Sequence, residues 1–524
     1  KISFTKDVLP FIIPLTCMLT IKECSRDFIE MLNIIKNNPE LLEVFDQQTY
    51  IWWNKTDIIN MIKRLTEKYI NKNSEIYNIT LHIKMQVQSF IDRPKELLEF
   101  ISQCLKPKEV EKKKYGEVFT PMELVNEMLD KLPVEVWMNS ELKWYDPANG
   151  MGNFPIAVYM RLMETLKDII PDKMDRKRHI LENMLYMSEL NKKNCYLCKQ
   201  IFDVHNEYNL NLYCGDSLEM KPLEIWEVDN FDIIMGNPPY NKDVSKNNAK
   251  GQVLWTQFVS LAYNNLRRNG FLCFINPPNW RKPKHELRNI FFNNQLHYIR
   301  MFSDTDVSKI FYCSIRVDYY ILQKKEISIM SEIQDDKGYT ILLNINNSLL
   351  YIANFGISIH NKVNKINVPK LICINPRTHD TTRKFVQKEQ TEEFKFKLLN
   401  TSSSNGIVYY YSSKIHPVQT EKKVMFSNGR YIYPFYDDGK LGGTQSSLYI
   451  IVKNKDKGIN LIHFINTKFF KFLVKSTKFN NFAVSHEFIS TIPDLSSVIS
   501  NINDEKIFNY INLEENEIRF ILDN

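Results

Sequence analysis

The run Phe231-Asp232-Ile233-Ile234-Met235-Gly236-Asn237-Pro238-Pro239-Tyr240 decides how this chain is read. Its first six residues form a short apolar stretch, the pattern of a buried strand. The two prolines stop the ladder, because proline has no N–H and a fixed φ. Asn237 therefore stands at the carboxyl end of a strand, the edge where open α/β sheets bind ligands. The side-chain oxygen of Asn237 and the backbone oxygen of Pro238 are neighbouring acceptors that suit a planar amino group. Tyr240 adds a ring face for stacking a base. Asn-Pro and Pro-Pro also punctuate ordinary turns, so the tetrapeptide needs support from elsewhere in the chain.

That support lies upstream. Lys143 to Phe154 reads as a strand ending at Asp146, then a glycine turn with Gly150 and Gly152, then a helix over 155–166. The glycines let backbone approach a ligand closely. A phosphate loop would tend to avoid the charge of Asp146, whereas a sulfonium or ammonium ligand would accept it. A second strand over 184–187 leads to Glu189, and an acid at this place is the expected partner of ribose hydroxyls. A third over 210–216 ends at Asp216, which can accept from an adenine amino group. Singly, such acids are solvated loop carboxylates; three in succession form a pattern. Earlier still, Thr120-Pro121 opens a helix over 123–132, with Thr120 as N-cap and an N-terminus able to receive a carboxylate. Downstream, 241–251 is a polar loop with the composition of a flap, and 254–266 is helical, carrying Phe258. Residues 270–277 read as a strand, 284–300 as helix then strand, and 311–322 as a strand pair.

The 524 residues suggest roughly three domains. The net charge of +7 permits a polyanion partner without requiring one. Nine cysteines lie scattered, which fits a reducing compartment. Cys195 and Cys198 form a single Cys-x-x-Cys without a second pair, so no metal site is expected. The apolar run over 8–21 holds two prolines and is too short to span a bilayer, so no membrane contact is expected. Abundant Asn, Ile and Lys point to an AT-rich genome. The chain starts at Lys1 rather than Met, which is read as part of a longer polypeptide.

Taken together, the ordered motifs over 109–325 resemble the adenine-amino DNA methyltransferases in which the cofactor motifs precede the catalytic one. Tyr115 to Pro121 is similar to that family's Thr-Pro element, and Asp146 to Phe154 to its cofactor loop. Asn149 and Met151 depart from its usual small residue or Cys, with weak effects expected. The resemblance implies S-adenosyl-L-methionine as cofactor, held by Thr120, Asp146, Gly150, Gly152, Glu189, Asp216 and Phe258. It implies catalysis by Asn237, Pro238, Pro239 and Tyr240 on a flipped adenine of double-stranded DNA, with Tyr240 and Phe311 packing on the base. It also implies a bacterial or viral, cytoplasmic protein. The fold class it implies is α/β: a Rossmann-like methyltransferase sheet over 109–325, a helical N-terminal region over 1–108, and an α+β target-recognition domain over 326–524.

In that last region, 338–359 reads as β structure, 422–436 and 446–452 as strands, and 461–476 as a helix. Residues 482–492 are read as docking back towards the catalytic domain. Lys422, Lys423 and Arg430 beside Tyr431 and Tyr433 are candidates for DNA contact. In the N-terminal region, helical spacing marks 25–37, 55–71 and 83–105, the last broken at Pro94. The alternatives are the same chemistry on cytosine, RNA or protein glutamine; a restriction–modification polypeptide with nuclease or helicase parts before Lys1; and an idle DNA-binding module.

Overall fold

The computed structural model describes residues 28–53, 89–90, 93–104, 119–203, 206–241, 253–311, 315–346, 348–375, 377–429, 431–479 and 484–524. The expected helix over 55–71, residues 242–251 of the expected flap, Tyr115 to Val118 and Arg430 lie outside them.

Among the described residues, nine strands make one sheet: β1 (Trp144–Asp146), β2 (Leu185–Glu189), β3 (Asn211–Cys214), β4 (Phe231–Gly236), β5 (Leu266–Asn276), β6 (Gln295–Phe302), β7 (Val317–Gln323), β8 (Ser331–Gln334) and β9 (Thr340–Leu343). Their order is β3-β2-β1-β4-β5-β7-β6-β8-β9. The first five run parallel, and β7 is antiparallel to both β5 and β6. Chain order reverses between β1 and β4, which creates the switch point where doubly wound sheets hold ligands.

Every residue of β1, β2 and β4 is buried, as continuous apolar runs in a sheet covered on both faces require. Alternate side chains supply two cores. Trp144, Met187, Ile233 and Met235 face one, with α1 (Met122–Leu129), α2 (Asn153–Thr165) and α3 (Lys192–Phe202). Tyr145, Tyr186, Ile234 and Phe274 face the other, with α4 (Trp255–Asn265). Each large apolar side chain buried here contributes about 1.5–3 kcal/mol. Leu97 and Leu98 of the helix Pro94–Cys104 join the first core, as do Val44 and Phe45 of the helix Pro39–Trp53.

Several elements differ from expectation. Phe311 ends a helix, α5 (Asp304–Phe311), and only β7 follows; Ser303 and Asp306 cap that helix, with Asp306 N donating to Ser303 Oγ at 3.1 Å. Among the described residues of 338–359 only β9 is extended, and a helix, Ile357–Asn364, starts after Gly356 at φ +65. The expected helix over 461–476 is two, Lys455–Asn466 and Lys468–Ser476. They part at Thr467, whose side chain caps the second. Thr120 is not an N-cap: Pro121 holds that place and makes no side-chain cap. Cys195 is bonded to Cys214, with Cα atoms 6.1 Å apart, so the cysteines are not all unpaired. They lie 19 positions apart and meet because α3 packs on β3.

The sheet also continues past residue 325, through β8 and β9. Beyond it, two four-stranded sheets enclose a small core of Leu399, Met425, Leu441 and Tyr449. The helices around them, with Phe488, Ile489 and Ile492, belong to the same core as Tyr145 and Phe274.

Candidate active site

Four parallel strands deliver their carboxyl ends to one cavity of about 440 Å³. β1 brings Asp146, β2 brings Glu189, the turn after β3 brings Asp216, and β4 brings Asn237 and Pro239. Gly150 lies between them, with Thr120 on one wall and Phe258, from α4, on another. Gly152 stands just behind, at φ +102, as the N-cap of α2. A Cβ added at Gly152 would lie 3.3 Å from the Cys198 sulfur.

The acids are held by backbone donors. Ala148 N donates to Asp146 Oδ1 at 3.0 Å. Glu189 accepts from Gly150 N at 2.8 Å and from Asn191 N at 2.7 Å, which ties the second strand end to the glycine turn. Asp216 accepts from Leu218 N at 2.9 Å. Burial pushes the Asp146 carboxyl well above its usual range; the Ala148 N–H opposes this and nearby Glu189 adds to it. β4 can pass this close only because residue 236 is glycine. A Cβ there would meet Asp146 Oδ1 at 2.8 Å.

Asp146, Glu189, Asp216 and Glu219 line the cavity, and among the described residues no Lys, Arg or His does. Such a wall repels phosphate and attracts a cation. Asn149 Oδ1 is buried with no hydrogen-bond partner in the protein, an acceptor at the same wall. The donor set therefore fits a cationic nucleoside ligand: a carboxylate for positive charge, carboxylates for ribose and base, and Phe258 for a ring.

Asn237 is half-buried and donates from Nδ2 to Thr120 Oγ1 at 3.1 Å. The Tyr240 backbone oxygen accepts from Leu254 N at 3.0 Å, and its ring packs between both cores. Pro238 is buried beside the cavity-lining Pro239. Phe311 stands apart: it is 8 % exposed, in the first core, and does not line this cavity.

Some lining residues were not anticipated, among them Phe119, Asn153, Ser217 and Gln257. Ser217 Oγ donates to Pro147 O at 2.5 Å across 70 positions, a contact with no local signature. Lys423, expected on a DNA-facing surface, is buried and paired with Asp437 at 2.7 Å. It shares a strand face with Met425 of the small core, while Lys422 at the start of the strand Lys422–Ser427 stays exposed. Tyr431 and Tyr433 are exposed.

Residues 99–277 match the family model described as N-6 DNA Methylase. This part of the chain is similar to the N-6 DNA methylase family. Over 79 residues, 14% of the chain, it is 44% identical to an uncharacterized adenine-specific methylase of Mycoplasma pneumoniae, covering 19% of it. A longer stretch of 251 residues, 47% of the chain, is 25% identical to the type I restriction enzyme MjaVII methylase subunit of Methanocaldococcus jannaschii, covering 37% of it. The chain thus spans well under half the length of these curated relatives. Among solved structures, the type IIL restriction-modification enzyme MmeI in complex with DNA aligns at TM-score 0.48 and 10% identity, over 91% of this chain and 86% of that one. The ATP-dependent type ISP enzyme LlaBIII bound to DNA also aligns at 0.48, with 13% identity, over 98% of this chain and 48% of that one.

Proposed function

We propose that this chain transfers a methyl group from S-adenosyl-L-methionine to the N6 amino group of adenine in double-stranded DNA. The observation that carries this reading is the shared cavity: acids around a glycine turn on one side, Asn237 and Pro239 on the other, and no basic side chain among the described residues between them. The family match and the adenine-specific methylase of Mycoplasma pneumoniae support it.

S-adenosyl-L-methionine supplies a methyl group on a positively charged sulfur. Asp146 complements that charge, Glu189 and Asp216 accept from ribose and base, and Phe258 packs on the base ring. An exocyclic amine conjugated to a purine is a weak nucleophile. Asn237 Oδ1 and the Pro238 carbonyl accept its two hydrogens and turn its lone pair out of the ring plane. The amine proton becomes acidic once nitrogen is alkylated and leaves to water, so no strong base is needed. A base inside a duplex cannot reach Asn237, so the nucleotide flips out and stacks on Tyr240. Phe311 sits in the first core, against which Tyr240 also packs, and does not line the cavity. We assign catalysis to 109–325 together with the strands that complete its sheet, and target recognition to the remainder of 326–524. The name of one relative, the methylase subunit of a type I restriction enzyme, supports a restriction–modification setting, with nuclease or helicase parts in the same longer chain as our extension of that reading.

The test is mass spectrometry of nucleosides from DNA incubated with the purified chain and S-adenosyl-L-methionine. N6-methyladenine should form, and Asn237→Ala should abolish it while cofactor binding survives. Equal methylation by parent and N237A would refute the mechanism.

A further inference from the structure

We infer that Thr120 and Asn153 form a positioning bridge that sets which way the Asn237 carboxamide faces; this rests on the transferase reading above. A carboxamide can turn end for end with little change of shape, yet only one orientation presents oxygen to an amine. Thr120 Oγ1 accepts from Asn237 Nδ2 at 3.1 Å, so the NH2 end points to Thr120 and Oδ1 points away from it. Thr120 is itself fixed. It is 5 % exposed, and its backbone oxygen accepts from Asn153 Nδ2 at 2.8 Å. Asn153 is the first residue of α2 and directly follows Gly152 of the glycine turn. The helix after Thr120 has no side-chain cap, so its hydroxyl serves Asn237 rather than the helix end.

One line of contacts thereby joins the glycine turn to the catalytic tetrapeptide. Thr120, Asn153 and Asn237 all border the same cavity. The amine is gripped by Asn237; the other two act through it. A turn displaced at residue 152 would move Asn153, then Thr120, then the amide.

Thr120→Val keeps the shape and removes the hydroxyl, Thr120→Ser keeps the hydroxyl, and Asn153→Ala removes the donor. We expect T120V to lower kcat about 10- to 100-fold, the scale of a small misplacement of reacting groups. Affinity for S-adenosylhomocysteine, read by calorimetry, should fall far less than kcat, even though Thr120 borders the cavity. T120S should restore kcat, and N153A should fall between. A second readout does not depend on turnover. In protein labelled with 15N at asparagine, the Asn237 side-chain amide signals, assigned by their loss in Asn237→Asp, should move in T120V and not in T120S. Unmoved signals in T120V would overturn the bridge. So would a kcat loss matched by lost cofactor affinity, or T120S as impaired as T120V. If the parent methylates no adenine while the amide signals move as expected, the bridge is supported and the transferase reading fails.

Discussion

Asp146 is 1 % exposed, and its carboxyl is costly to ionise in the protein without a cation beside it. Asn at this position keeps an acceptor for the Ala148 N–H and removes the charge. D146N should therefore melt above the parent in the absence of cofactor. It should bind S-adenosyl-L-methionine about 10- to 100-fold more weakly, since a charged contact contributes about 1.5–3 kcal/mol. Thermal shift and calorimetry would measure both; unchanged affinity would remove Asp146 from the site. The sign with pH follows from the raised value. The stability that Asp146 contributes is fully present below its unfolded pKa and is lost as pH rises through the folded one. A bound cation lowers that folded value, so cofactor binding should release a proton. Calorimetry in buffers of different ionisation enthalpy reads this release. The three acids and the tetrapeptide were legible because each follows an apolar run whose end is marked in sequence. Asn153 and Ser217 were not, because their bonds cross 33 and 70 positions and leave no local pattern.

Among elements, the end of β4 depends on Gly236 at φ +150. Gly236→Ala should push Asp146 aside and weaken cofactor binding while the fold persists, as circular dichroism and calorimetry together would show. The strands of the parallel sheet were readable from unbroken apolar runs. The split at Thr467 was hidden because the helical period continues across it, and only the capping hydroxyl marks the break. Lys423 was misread for a related reason. Charge in sequence suggests a wet face, yet both faces of this strand are covered. Its ammonium donates to Asp437 and to the Glu421 carbonyl. Lys423→Ala should cost about 3–5 kcal/mol, because it leaves Asp437 buried and unpaired. The double replacement K423M/D437L should recover most of that loss in urea unfolding. If K423A instead weakened DNA binding at unchanged stability, the buried pair would be refuted.

At the scale of the molecule, the second core runs without interruption from Tyr145 through Ile345 to Phe508. Arg281, after β5, pairs with Asp318 and donates to the Ile352 and Ala353 carbonyls. A cut at 325 would open this core, so removing 326–524 should yield insoluble protein rather than a nonselective enzyme. Periodicity shows that a strand has two buried faces but not which distant segment covers each, so only the docking of 482–492, of which Phe488, Ile489 and Ile492 join this core, was legible. His360 and His416 lie in the covering segment, 2 % and 1 % exposed. Burial lowers their pKa values to about 3 and about 4. Below pH 6.5 the unfolded imidazoles take protons that the folded ones refuse. Stability should then fall by about 1.4 kcal/mol per pH unit for each histidine. Urea midpoints at pH 7 and pH 5 would measure this, and His360→Asn should flatten the dependence by about half.

The continuous core also bears on how such a chain could acquire a new target sequence. Shuffling of whole carboxyl-terminal halves between lineages would leave each recipient with a mismatched interior. The small cluster of Leu399, Met425, Leu441 and Tyr449 is separate, but Val424, Phe426, Leu448 and Ile450 tie one of its two sheets to the second core, so inheritance by cassette is feasible only for the other sheet, made of Val386–Gln387, Phe396–Ser403, Gly406–Ser412 and Gly442–Gly443. Drift in specificity should accordingly concentrate there, while the flanking helices evolve in step with the sheet they cover.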